Sequence, residues 1–318
     1  MKPFNVFPYD SNINFLRLRW ISLSIAALVM FVAIGAMAFK GFNFALDFTG
    51  GTVTELRFQK PADIDGVRNR LERAGYPSAQ VQTFGTGNDL LVRLQPKAGT
   101  TPGQTSVTAD DVLRASSTPD NPGTVVKSDF VGAQVGGELA LNGLYALLFV
   151  VVGFAIYITF RFEWKFAVAA ILTTLHDVVL VAGWFAISGH EFDLTVLAGV
   201  LSVMGYSIND TIVVFDRVRE NFRGMRASPE EVLNRSINQT LSRTVITSFV
   251  AFLTVFALYL YGGGSLKGMA ESQMLGIIIG TLSSIFVACP LLTMWFLKVT
   301  KQDLMPKARD EAALARRP

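Results

Sequence analysis

Six stretches of the chain, residues 20–39, 139–160, 166–188, 194–214, 244–261 and 274–297, are apolar almost without interruption. A helix rises 1.5 Å per residue, so about 20 such residues cross a hydrocarbon core of roughly 30 Å. Each stretch therefore predicts a transmembrane helix. A polar insert, residues 40–138, separates the first from the second, and there the period changes. Val53, Glu55, Arg57 and Gln59 alternate with Thr54, Leu56 and Phe58 over residues 52–59, the period of a strand. Ile64, Val67 and Leu71 fall at helical spacing within residues 62–74. Residues 80–84 and 89–94 read as strands around Gly85 and Gly87, a hairpin signal. Thr108 with Asp111 opens a short helix, and residues 124–131 supply a last strand. The order βαββαβ predicts a small α+β ferredoxin-like domain. Just before it, Gly50 and Gly51 follow Asp47 and Phe48 and permit turns closed to other residues.

Between the fourth and fifth spans, Ser228, Pro229 and Glu231 form a helix start: an N-cap, a proline at the first helical position and a glutamate at the third. Leu233, Ile237 and Leu241 then recur every four residues. The pattern predicts an amphipathic helix that lies along the membrane interface, held by lipid headgroups, and feeds into span five.

Composition agrees with the pattern. The 318 residues are 51% hydrophobic and 17% charged, against about 25% charged in soluble proteins. The chain reads as a polytopic membrane protein. Basic residues mark the cytoplasmic side of short loops and tails. They gather before span one (Lys2, Arg17, Arg19), between spans two and three (Arg161, Lys165), between four and five (Arg217, Arg219, Arg223, Arg226, Arg235) and after span six (Lys298, Lys301, Lys307, Arg309, Arg316, Arg317). The opposite loops, residues 189–193 and 262–272, hold Lys267 alone. This predicts a cytoplasmic N-terminal tail (1–19), an extracytoplasmic domain (40–138), spans two to six over 139–299 and a cytoplasmic C-terminal tail (300–318). Span one is longer than the apolar core of a signal peptide, so it reads as a retained anchor. The net charge of +3 is accounted for by these loops and points to no nucleic acid. The single cysteine, Cys289, lies in span six, so the insert has no disulfide and stands on its core.

Ionisable residues inside the spans are costly and mark function. Asp210 lies in span four, Asp177 beside His176 in span three, and Arg243 at the start of span five. By helical rise, Asp177 is about 16 Å from the inner end of its span and Asp210 about 10 Å from Arg217. Arg243 falls at a level comparable with Asp210, so the two could meet. A paired carboxyl stays charged, whereas an unpaired one takes up a proton. Each residue also has a plainer reading: Arg243 snorkelling to headgroups, His176 as hydrogen-bonded packing, the two aspartates as cement between helices. Ser202, Ser207, Asn209 and Thr211 read as helix glue, and Gly199, Gly205, Gly276 and Gly280 as close-packing positions. There is no P-loop, no HExxH and no Cys/His cluster, and His176 and His190 cannot supply a zinc site unaided. The chain therefore reads as no enzyme, with no cofactor and no metal.

Several motifs occur together: Leu46 to Gly51 (LDFTGG) after span one, Leu175, His176, Asp177 and Val178 in span three, Tyr206 to Arg217 (YSINDTIVVFDR) in span four, and Leu241, Ser242, Arg243 and Thr244 before span five. In this combination and order the chain resembles the SecF half of the SecD/SecF family, within the RND superfamily, over essentially its whole length. The resemblance implies a SecD-like partner subunit and association with the SecYEG translocon, with YajC and YidC as further partners. It implies use of the proton-motive force to complete export of an unfolded preprotein across the inner (plasma) membrane, among membrane lipids. It places Asp210 and Arg243 in a proton pathway, with His176 and Asp177 in a second motif. A non-transporting scaffold and a small-molecule RND exporter are the alternatives.

Overall fold

The computed structural model describes residues 11–76, 79–84, 88–94, 109–131 and 133–304. The turn expected at Gly85 and Gly87, the cap expected at Thr108 and most of the C-terminal tail lie outside them. The chain begins with α1 (Arg19–Phe39), then β1 (Gly51–Phe58), α2 (Ile64–Arg73), β2 (Gln80–Phe84), β3 (Asp89–Leu94), α3 (Ala109–Ser116) and β4 (Gly123–Val131). Five long helices follow: α4 (Ala133–Arg161), α5 (Trp164–Ser188), α6 (Leu194–Gly224), α7 (Pro229–Tyr261) and α8 (Gly264–Ser283). The described residues fall into two compact units, Phe44–Ala146 and the remainder.

In the smaller unit the strands form one antiparallel sheet in the order β2-β3-β1-β4. With α2 and α3 between strands, this is the ferredoxin-like order. Thr52, Thr54, Leu56 and Phe58 are buried while Arg57 is exposed, so the period of two selects the core face as expected. Leu56, Phe58, Val67, Leu71, Val81, Leu90, Val92, Leu94 and Val112 make the core. A bulge between Glu55 and Leu56 shifts the β1–β4 register, which strict alternation could not show. Ahead of β1, Leu46–Thr49 makes a single helical turn, and Gly50 and Gly51 leave it at φ 66° and 120°. A Cβ on Gly136 would stand 2.9 Å from the Gly50 amide nitrogen, so Gly136 admits only hydrogen there.

Among the described residues, six helices are long and apolar enough to cross a membrane, the last running Leu266–Leu291; all but the first part of α4 belong to the larger unit. They divide into two kinds. In the most apolar window of α5, α6 and the last span, 61%, 50% and 56% of residues are buried within the chain, against 6% in α1 and α4 and 11% in α7. The first three form the inner layer and the others the outer. Gly276 packs on Val203, Gly199 on Ser272, and a Cβ on Gly280 would meet Ser207 Cβ at 3.3 Å, so α6 and α8 approach closely through glycines. Gly205 is the exception: its nearest neighbour is Phe154, at 3.9 Å, and packing does not require a glycine there.

Several boundaries differ from the sequence expectation: the helices of the second and sixth spans begin at Ala133 and Gly264, ahead of the expected 139 and 274, and three further differences bear on the bundle. α6 continues past the apolar run to Gly224, because Phe215, Val218 and Phe222 keep one face buried after the charges begin. The helix starting at Pro229 does not lie apart along the interface. It is continuous with span five, and its Val232, Leu233, Ile237 and Leu241 join Phe215, Val218 and Phe222 in one core. Span six ends early. After Ser283 the chain makes a π-helical turn, Ser284–Ala288, and a short helix, Cys289–Leu291, before turning out of helix. Pro290 lacks the N–H that would bond the Phe286 carbonyl in the turn before it, and residues 292–297 form turns rather than helix despite their hydrophobicity.

Candidate functional site

Two carboxyls are buried in the inner layer, and hydroxyls hold both. Asp210, on α6, is 5% exposed. Thr244 on α7 donates to its Oδ1 at 2.9 Å, and Ser284, the first residue of the π turn, donates to its Oδ2 at 2.7 Å. Asp177, on α5, is 0% exposed. Ser207 on α6 and Ser283 on α8 each donate to its Oδ2 at 2.6 Å, while His176 Nδ1 stands 2.9 Å from its Oδ1. A carboxylate only accepts, so the ring carries its proton on Nδ1 in that state. His176 Nε2 is buried and has no hydrogen-bond partner among the described residues. The hydroxyl-to-carboxyl distances of 2.6 Å at Asp177 are those of charge-assisted bonds.

The tandem serines explain how one helix serves both acids. Adjacent helical residues point about 100° apart, so Ser283 faces the α5/α6 seam and Ser284 the α6/α7 seam. The π turn begins at Ser284, and such insertions in helices concentrate at functional sites. Ser207 sits three residues before Asp210 on α6, so one turn of that helix touches both carboxyls.

Other expected site residues are placed differently. Arg243 is exposed and makes no ion pair among the described residues; its neighbour Thr244 occupies the position facing Asp210. The pair that depth alone suggested is not formed here, because residues adjacent on a helix diverge around its axis. Asn209 is also exposed and glues no helix among the described residues. Thr211 is buried without a partner for its hydroxyl, and Ser202 is exposed, so of the four expected glue residues only Ser207 bonds across helices. Asp47 and Phe48 lie in the smaller unit, half-buried, with Phe48 edge-on to Phe44 at 5.6 Å between ring centroids.

The sequence reading missed the acceptors' partners. Ser283, Ser284, Thr244, Ser248 and Thr281 look like ordinary small polar residues in apolar spans. Adjacent serines inside the sixth apolar stretch were the one available signal.

Together these features define a multi-pass helical membrane protein with one small α+β domain after its first span and two carboxyls caged in its bundle. The chain belongs to the SecD/SecF family. Residues 113–298 match the profile of the protein export membrane protein SecD/SecF, C-terminal, and residues 35–62 match the SecD/SecF GG motif. The chain is 44% identical over 300 residues to the protein translocase subunit SecF of Pseudomonas aeruginosa, covering 94% of this chain and 96% of that one. It is 42% identical over 280 residues to SecF of Escherichia coli O157:H7, covering 87% and 86%. The crystal structure of SecDF from Thermus thermophilus, a translocon-associated membrane protein, matches at a TM-score of 0.81 and 37% identity, over 92% of this chain and 40% of that one. The chain thus spans about two-fifths of the solved SecDF protein's length.

Proposed function

We infer that this chain is the SecF-type half of a SecD/SecF complex that uses the proton-motive force to assist Sec-dependent protein export. Its likeness to one part of SecDF proteins, in which SecD and SecF are joined, supports a SecD-like partner. SecYEG, YajC, YidC and the unfolded preprotein enter as partners through the family resemblance. The basic residues support an orientation with both termini in the cytoplasm and the α+β domain outside the inner membrane.

The observation that carries the mechanism is a buried carboxyl, Asp210, held by hydroxyls alone while an arginine stands one residue from one of them. A hydroxyl can accept from a carboxylic acid as readily as it donates to a carboxylate, so the cage accommodates both protonation states. A guanidinium accommodates only the charged one. Asp210 therefore alternates between a protonated state in the Thr244/Ser284 cage and a charged state turned toward Arg243, and the exchange biases how α6, α7 and α8 pack. Asp177, with His176, is a second polar centre wired to the same helix through Ser283. Asp210→Asn keeps the size and one acceptor but cannot titrate. It assembles with the partner subunit and loses proton-driven export in proteoliposomes, while Asp210→Glu keeps part of it and Arg243→Ala impairs it. Export at wild-type rate in the Asn variant would make Asp210 structural and leave a scaffold as the better reading.

A further inference from the structure

One helical turn from the Asp210 cage lies a second set of hydroxyls that no part of the mechanism above uses. Tyr206 on α6 donates to Ser248 Oγ at 2.8 Å, and Thr281 on α8 donates to the same oxygen at 2.7 Å. Each is displaced by a turn from a member of the cage: Tyr206 precedes Asp210 by four residues, Ser248 follows Thr244 by four, and Thr281 precedes Ser284 by three. Successive spans alternate in direction, so these displacements point the same way, and the two layers are stacked about 6 Å apart along the bundle. In the orientation proposed above, the Tyr206 layer lies on the extracytoplasmic side of Asp210. Ser248 is 7% exposed, whereas Tyr206 is half-buried and reaches the edge of the chain.

The bonding in this layer is reversible in sense. Thr281 has one hydroxyl proton but two acceptors in reach, Ser248 Oγ at 2.7 Å and the Ile277 carbonyl at 2.6 Å. When that proton turns to the carbonyl, Thr281 offers Ser248 a lone pair in place of a donor. Ser248 meanwhile accepts two bonds and has its own proton free to give. Toward the cage, Ser284 is bonded both to Asp210 Oδ2 at 2.7 Å and to the Thr281 carbonyl at 3.0 Å. The layer spacing of about 6 Å is two hydrogen-bond lengths, so one bridging water, or a turn of the Ser248 hydroxyl with one, closes it.

We propose that Tyr206, Ser248 and Thr281 form the outer arm of the proton path, delivering protons from the extracytoplasmic side to Asp210. A proton arriving on the Tyr206 oxygen releases the phenolic proton to Ser248. Ser248 in turn releases its own toward the cage, where the Asp210 carboxylate becomes a carboxylic acid. Every hydroxyl ends with one proton, as it began. Within about two turns of this arm, α6 carries Asp210, α7 the exposed Arg243 and α8 no charged side chain, with His176 and Asp177 on α5. The inference rests on the proposed function of Asp210 but concerns different residues.

The test uses the complex of this chain with its SecD-like subunit, reconstituted in vesicles with a pH-sensitive dye inside. Tyr206→Phe keeps the ring and removes only the relay oxygen. It should lower proton flux about a hundredfold, the low end of what a positioned proton-transfer group contributes, with assembly and thermal midpoint unchanged. Ser248→Ala should do the same, and Tyr157→Phe, an exposed tyrosine on α4, should leave flux at the wild-type level. Flux within twofold of wild type in Tyr206→Phe, beside loss of flux in Asp210→Asn, overturns the outer arm and spares the role of Asp210. A fall in melting temperature that accounts for the lost flux also overturns it, since the hydroxyls would then be packing. If Asp210→Asn keeps its flux, the proposed function itself falls and takes the arm with it.

Discussion

Asp177 and Asp210 draw on the same chemistry and differ in access. One helix caps both through consecutive serines, and α6 touches both within one turn. Asp177 is fully sealed, and its three partners are a histidine ring and two hydroxyls. Asp210 has two partners, both hydroxyls, with an arginine one residue from one of them and a further hydroxyl layer a turn away. A group with every bond committed resists change, because each rearrangement strands a buried donor. A group in a cage that suits either protonation state, with other polar groups a turn away, can titrate and move. We propose from this contrast that Asp177 holds the inner layer together and Asp210 serves the cycle.

The largest expected effect breaks the sealed site. Asp177→Ala strands His176 Nδ1 and the Ser207 hydroxyl in a dry interior, with Ser283 keeping the Gly280 carbonyl as acceptor, and should cost about 3–5 kcal/mol, the range for stripping one member from a buried charged cluster. Asp210→Ala should cost less, about 1–3 kcal/mol, since it strands the Thr244 hydroxyl and no ring N–H, while Ser284 retains the Thr281 carbonyl as acceptor. Thermal unfolding in lipid nanodiscs reads both. Equal losses would erase the distinction drawn from burial and bond count.

A smaller effect sharpens the comparison within one dipeptide. Ser283→Ala and Ser284→Ala each remove one hydroxyl bond and should each cost about 1 kcal/mol. Their consequences should part. Ser283→Ala lowers stability and leaves the pH dependence of export where it was, whereas Ser284→Ala shifts that dependence, because it alters the cage of the titrating acid. A shift in both, or in neither, would mean that the tandem serines do not separate the two sites.

The sequence made part of this legible for identifiable reasons. Long apolar runs located the spans, and the period of two with one helical stripe located the ferredoxin-like sheet, because burial imposes those periods directly. Asp177 and Asp210 stood out since a charge in an apolar run is conspicuous. Their partners did not, because serine and threonine are tolerated anywhere in a membrane helix, and only the packing of α5, α6 and α8 shows which of them bond. The Asp210–Arg243 pair failed as a static contact for the same reason: depth along a helix is readable from residue number, while direction around it at a crossing depends on the neighbour. The extent of α6 and α7 beyond the bilayer was hidden because their charged residues masked a continuing buried stripe, Phe215, Val218 and Phe222 against Val232, Leu233 and Ile237. The end of span six was hidden by hydrophobicity that outlasts the helix at Pro290.

The most direct test of the contrast is isotope-edited infrared difference spectroscopy of the reconstituted complex, stepping the external side from neutral to mildly acidic pH. The account expects a protonated-carboxyl band to appear on acidification, to vanish in Asp210→Asn and to persist in Asp177→Asn. A band that survives in Asp210→Asn, or disappears only in Asp177→Asn, would contradict the assignment of Asp210 as the titrating group.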